Sequence, residues 1–147
     1  MSDRLRRGRF SETGRLYLLT SVVRDREPLF HDLKLARLIV GQFRLAQEEG
    51  HASSLAWVVM PDHIHWLVDL HEGTLGALMR RFKSRSALGI NRVLQRKGQC
   101  WQEGFHDHAL RREEDVREVA RYIITNPVRA GLVARARDYS HWDAVWL

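Results

Sequence analysis

Two short apolar runs, Ala52 to Met60 and Asp62 to Leu70, meet at Pro61-Asp62 with almost nothing between them. Both are rich in Val, Leu and Trp, and neither carries a helical period over its length, so they read as buried strands. A link this short closes only an antiparallel hairpin. The chain is thereby committed to a sheet. Inside the second run stands His63-Ile64-His65. Residues two apart on a strand share a face, so the two imidazoles project side by side and Ile64 turns into the opposite layer. Two such imidazoles can chelate one divalent ion. They can equally be half-buried histidines bonded to backbone or carboxylates, and the pair alone does not decide between these.

The remaining elements build outward from that hairpin. Arg15 to Val23 alternates weakly and reads as a strand. After the turn at Pro28, Asp32 to Glu49 reads as a helix with a stripe at Leu35, Leu38, Ile39, Gln42, Leu45 and Ala46, Gln42 being its one defect; Gly50 ends it. Thr74 is placed to cap a helix running to about Arg96, with Leu75, Leu78, Met79, Phe82, Ala87 and Ile90 on its apolar face and Gly98 closing it. Trp101 to Arg111 reads as a fourth strand, starting near Gln99 and open to interruption at Gly104. Asp115 to Asn126 is a last helix bounded by Pro127. The tail holds Tyr139, Trp142 and Trp146, and a tail this aromatic is expected to dock on the core. Strand, helix, strand, strand, helix, strand, helix is an α+β order. Its economical solution is a ferredoxin-like antiparallel four-stranded sheet with packed helices.

A chain of 147 residues suits one domain, here residues 1–147. It has no apolar run of about 18 or more residues and no signal-like N-terminus, so the expectation is no membrane and a cytoplasmic location. Cys100 is its single cysteine, which leaves no internal disulfide or Cys-x-x-Cys site. The formal charge of +6 is carried almost wholly by arginine, lysine standing only at 34, 83 and 97. Arginines and lysines cluster at Arg4, Arg6, Arg7 and Arg9, at Arg80, Arg81, Lys83 and Arg85, and at Arg92, Arg96 and Lys97. The planar guanidinium matches phosphate oxygens in pairs, so the expected polyanion is nucleic acid. A merely solvated basic surface is the plainer reading of the charge.

In the last helix Val116, Val119, Ala120, Ile123 and Ile124 make the core-facing stripe. Tyr122 lies off that stripe, with Asn126 one turn on along the same flank. Pro127 biases Asn126 away from helical geometry. Taken singly, Tyr122 is an amphipathic residue at a helix edge.

The strings Val59-Met60-Pro61-Asp62-His63-Ile64-His65-Trp66-Leu67-Val68 and Tyr122-Ile123-Ile124-Thr125-Asn126-Pro127-Val128-Arg129-Ala130-Gly131-Leu132-Val133 resemble the two signature blocks of the single-tyrosine HUH transposases, the IS200-like family. They look most like its REP-associated tyrosine transposase branch. Between them, Trp101-Gln102-Glu103-Gly104-Phe105-His106-Asp107-His108-Ala109-Leu110-Arg111 is similar to that branch's Trp-Gln-x-x-Phe block. The resemblance runs over about 14–133 and leaves 134–147 as an aromatic tail.

The resemblance implies a divalent-ion-dependent nuclease acting on single-stranded DNA near hairpins such as REP-like elements. It makes Tyr122 the nucleophile and His63 and His65 metal ligands. Asn126 stands where a related branch supplies a Gln ligand. Two imidazoles with water and phosphate oxygens suit Mg²⁺ or Mn²⁺. His106 and His108, a second His-x-His, are expected to be structural or DNA-contacting. Arg6, Arg7, Arg80, Arg81, Lys83 and Arg85 are expected to hold phosphates, with Trp66, Trp101 or Phe105 available to stack bases where exposed, although the alternation of Trp66 with Ile64 reads better as core. The expected partner is single-stranded or hairpin DNA, bound by a monomer or a homodimer. Two other classes compete: a nucleic-acid-binding module of the same fold without cleavage, and a metal-dependent hydrolase of small phosphoesters that would not need Tyr122.

Overall fold

The computed structural model describes residues 11–111 and 114–144. The N-terminal arginines and Trp146 fall outside that range. Five strands, β1 (Leu16–Val22), β2 (Ala52–Val59), β3 (His63–Leu70), β4 (His106–Ala109) and β5 (Trp142–Ala144), form one sheet. Their order is β4-β1-β3-β2-β5, antiparallel throughout. The hairpin of β2 and β3 forms as expected, and the histidine pair opens the central strand. The helices are α1 (Leu33–Glu48), α2 (Leu75–Leu94) and α3 (Glu114–Arg129).

The α+β fold agrees with the sequence reading; the strand count does not. The expected sheet had four strands, and the tail supplies a fifth. Trp142 to Ala144 pairs along the outer edge of β2, covering backbone groups that would otherwise stay open. The Tyr139 hydroxyl, 2.7 Å from the Val59 carbonyl, fastens the tail to the same strand. Burial pushes this phenol up to about 12, so it stays a donor at any ordinary pH. Tyr139→Phe is expected to cost about 1 kcal/mol, the usual net worth of one hydrogen bond, as a lower urea midpoint at unchanged slope.

The sheet has a helical layer on each face. On one side Tyr17, Leu19, Ile64, Trp66 and Val68 pack against α1 and α2. On the other, Val58 and Leu67 meet Val116, Ala120 and Ile123 of α3, with Ala144 beside them. Strand β2 serves both layers through a bulge between Ser54 and Ala56. An extra residue there puts Leu55 and Ala56 against the same layer, where strict alternation would separate them.

Local details depart from the sequence reading where packing overrides pattern. In α1 the buried aromatic is Phe43, and the suspected defect Gln42 sits at the margin. Phe43 stacks on Phe82 and lies 4.7 Å from Trp66, centroid to centroid. Asp32 and Thr74 cap α1 and α2 through side-chain hydrogen bonds to Lys34 N and Ala77 N. Gln95, in the left-handed region, ends α2 ahead of Gly98. The fourth strand is shorter than expected. Trp101 makes only an isolated bridge to Val23, and Gly104 at φ 72° turns the chain before β4 begins. Helix α3 runs through Pro127 to Arg129, so Asn126 is helical after all. The proline sits in the last turn, where its missing N–H frees only the Ile123 carbonyl.

Candidate active site

The strand alternation that buries Ile64 and Trp66 under α1 and α2 turns His63 and His65 toward the α3 layer. Their rings stand edge to face with centroids 5.0 Å apart. Each Nδ1 is already held. His63 Nδ1 lies 2.7 Å from Asp62 Oδ1, and His65 Nδ1 lies 2.8 Å from Thr20 Oγ1 on the neighbouring strand. When Nδ1 donates in both, each Nε2 carries a lone pair, the arrangement by which a carboxylate or hydroxyl oxygen behind the ring orients a metal-binding histidine. Burial, and then the charges of His63 and Arg129, push His65 down to about 4, so its imidazole is neutral near pH 7. Burial alone would raise the Asp62 carboxyl, but hydrogen bonds from His63 and Arg26 and their charges hold it below the usual carboxylate range.

Helix α3 lays its apolar stripe over β2 and β3, which carries the off-stripe Tyr122 to the histidines. The Tyr122 and His65 rings are 6.1 Å apart between centroids. Half of Tyr122 is exposed, at 51%. Its ring is open to a polymer arriving from solvent, and a core tyrosine would not be. One chain thus brings together two imidazoles and a phenol.

Two partners in this cluster were not foreseen. Thr20 was invisible because only the register of β1 against β3 sets it opposite His65. Arg129 carries a signal that could have been read. It lies seven residues after Tyr122, two helical turns on and on the same side. Its guanidinium carbon sits 4.0 Å from the centroid of the Tyr122 ring. One terminal nitrogen donates to the Tyr122 carbonyl at 2.5 Å, and the other donates to Thr125 Oγ1.

Other sequence candidates are distributed differently. Asn126 is half-buried on α3, one turn beyond Tyr122. His106 and His108 are exposed on the edge strand β4. Thr20 pairs with His65 on one side and with His106 on the other, so the two histidines share a face two strands apart. Two strand spacings are about 10 Å, so His106 is not a side-by-side neighbour of His65 as His63 is. Among the described residues no three His, Cys, Asp or Glu side chains cluster as a metal site, so neither pair gains a third ligand of those types. The donor chemistry of His63 and His65 fits a divalent ion that completes its shell with water, amide or phosphate oxygens.

Arg80, Arg81, Lys83 and Arg85 ride on α2, across the sheet from Tyr122. The Lys83 ammonium is bonded to the carbonyls of Gln102 and Gly104, and Arg85 pairs with Glu49 at 2.8 Å. Arg80 is exposed. The aromatic residues considered for base stacking are buried. Trp66 donates to Ser54 Oγ, Trp101 donates to Ser86 Oγ, and Phe105 is only 5% exposed. Apolar packing against Phe43, Phe82 and Phe30 claims the two tryptophans, so none of the three is a stacking platform. Among the described residues, no helix is long and apolar enough to cross a membrane.

Residues 15–126 match the family model described as "Transposase IS200 like". The REP-associated tyrosine transposase of Escherichia coli (strain K12) is 34% identical over 88 residues, 57% of this chain and 49% of that protein. The match therefore spans about half the length of that relative. A Haemophilus influenzae protein assigned provisionally to the same group is 28% identical over 143 residues, 87% of this chain and 78% of that protein. Among solved structures, a REP-associated tyrosine transposase bound to a REP hairpin superposes with a TM-score of 0.77 at 24% identity, covering 91% of this chain and 79% of that one. A candidate transposase from Deinococcus radiodurans superposes with a TM-score of 0.57 at 18% identity, covering 80% and 94%. At these identities the two structures speak for the fold alone.

Proposed function

The chain belongs to the IS200-like transposase family, and from that premise we propose that it is a single-strand DNA endonuclease and strand transferase. Tyr122 is the nucleophile, and the substrate is DNA near a hairpin. The observation that carries this reading is the convergence of Tyr122 on the His63–His65 pair within one chain. The hairpin is proposed from the E. coli relative and from the structural neighbour with its REP hairpin.

His63 and His65 would hold a divalent ion, Mg²⁺ or Mn²⁺, with the Asn126 side-chain oxygen as the candidate third ligand. Such an ion, when bound, supplies Lewis-acid polarisation of the scissile phosphate and relief of transition-state charge. The chain's own residues do the rest. Asp62 and Thr20 fix the ring orientations of the two histidines. The Tyr122 oxygen attacks phosphorus, the new O–P bond replaces the P–O3′ bond, and the phenolic proton passes to solvent. The departing 3′ oxygen takes up a proton and leaves as a free 3′-OH, while the 5′ side stays on tyrosine. The ester keeps the energy of the broken bond, so a second 3′-OH can reverse the step without a nucleotide cofactor.

A polyanion of hairpin size can engage both layers. The loop held by Lys83 leads directly into β4, so a strand bound at Arg80 and Arg81 has a path to Tyr122 around the β4 edge, past the exposed His106 and His108. Replacing Arg80, Arg81 and Arg85 together is expected to flatten the salt dependence of single-strand binding by about 0.7 log units per lost phosphate contact. An unchanged slope moves the DNA to another surface, the N-terminal Arg6 and Arg7 first among them. The function itself is tested by incubating the protein with end-labelled, hairpin-bearing single-stranded DNA and Mn²⁺. A denaturation-resistant protein–DNA band is expected. Binding without that band would favour a non-cleaving nucleic-acid module, and hydrolysis of small phosphoesters without it would favour a metal hydrolase.

A further inference from the structure

We propose that Arg129 is a positioning residue for Tyr122, clamping its ring and presenting a fixed cation to the phosphate that the tyrosine attacks. The proposal rests on Tyr122 being the nucleophile and adds a residue to that site.

Three contacts of one side chain carry it. The guanidinium lies over the Tyr122 ring at 4.0 Å, well inside the range of a cation–π attraction. It is anchored at the same time by the Tyr122 carbonyl and by Thr125 Oγ1. Thr125 is itself tied back, its hydroxyl donating to the Arg121 carbonyl at 2.7 Å. Ring, main chain and guanidinium therefore form one braced unit on the last turns of α3. An exposed tyrosine would otherwise sample several rotamers, and the plane above its ring fixes where the phenol oxygen can go.

The bracing leaves most of the guanidinium unused. Of the five N–H donors that any guanidinium carries, the two anchoring bonds take two. The rest suit a second partner, and the planar fork of arginine matches two oxygens of a phosphodiester. A guanidinium is a permanent cation, not a proton donor or acceptor. When the Tyr122 O–P bond forms and the P–O3′ bond breaks, no proton moves to or from Arg129. It contributes only fixed donors beside the phosphorus, where charge builds in the transition state. In rejoining the same cation lies over the ring of the departing phenolate, so both directions gain.

The test compares Arg129→Ala and Arg129→Lys with wild type for adduct formation on the hairpin-bearing strand in Mn²⁺. The maximal rate and the half-saturating DNA concentration are separated by titration. For Arg129→Ala the maximal rate is expected to fall about 10²-fold, the usual cost of one preorganised transition-state donor. Half-saturation should move far less, and the melting temperature should stay near wild type. Guanidinium chloride at tens of millimolar should restore part of the lost rate in Arg129→Ala. The lysine variant should recover only part, because an ammonium has no plane to lay over the ring. A wild-type maximal rate in Arg129→Ala would overturn the proposal. So would a loss of rate that tracks a lowered melting temperature and does not respond to guanidinium, which is the mark of a helix brace alone. Absence of adduct in the wild type would instead refute the nucleophile assignment, and this proposal with it.

Discussion

Tyr122→Phe is expected to abolish the covalent DNA adduct while leaving the fold and DNA binding intact. The substitution removes one oxygen and nothing else. That oxygen belongs to a half-exposed ring, so no buried partner is orphaned by its loss. The aromatic face that Arg129 covers is kept, and so are the Arg129 bonds to the Tyr122 carbonyl and to Thr125. Half-saturation by DNA should therefore stay within about threefold of wild type, since positioning contacts to phosphates set affinity and the attacking atom does not. Adduct formation should fall below detection, because Phe has no nucleophile to offer. Electrophoretic mobility shift and denaturing gels on the same samples separate the two quantities.

The second large effect is expected at the histidine pair. His63→Ala or His65→Ala should lower the cleavage rate on the order of 10³-fold, since Lewis-acid stabilisation is worth several kcal/mol and each 1.4 kcal/mol is tenfold. Calorimetry should show the Mn²⁺ affinity weakened in the same variants. His106→Ala and His108→Ala should keep Mn²⁺ binding, because His63 and His65 are paired side by side on β3 and the second pair lies two strands away on β4. They should instead weaken DNA binding modestly if the strand passes the β4 edge. Loss of Mn²⁺ binding in the second pair, with retention in the first, would transfer the metal to His106 and His108.

Much of the site was legible because two periodicities pointed the same way. The period of two in β3 put His63 and His65 on one face, and the stripe of α3 put Tyr122 at its flank. Neither pattern alone says that the two faces meet. That follows from α3 covering the opposite layer from α1 and α2, a packing choice that the element order left open. Thr20 was not legible, since it reaches His65 only through strand register. Phe43 was overlooked because Gln42 seemed to occupy the stripe, and burial beside Trp66 and Phe82 decided the rotation of α1. The fifth strand was hidden in a tail whose aromatic content announced docking but not pairing. Pro127 misled the reading of α3: one missing N–H in a last turn is a smaller cost than unwinding the turn that carries Arg129. The arginine cluster on α2 was the least informative signal. Composition marked it as phosphate-binding, whereas Lys83 and Arg85 are engaged within the fold.

The most direct measurement is to locate the covalent bond. Wild-type protein is reacted with hairpin-bearing single-stranded DNA and Mn²⁺, trimmed with nuclease and protease, and sequenced by mass spectrometry. Attack by Tyr122 predicts a peptide whose added mass of a 5′-linked nucleotide sits on that residue, absent from the Tyr122→Phe protein. A nucleotide on another residue, or the same adduct in Tyr122→Phe, would contradict it.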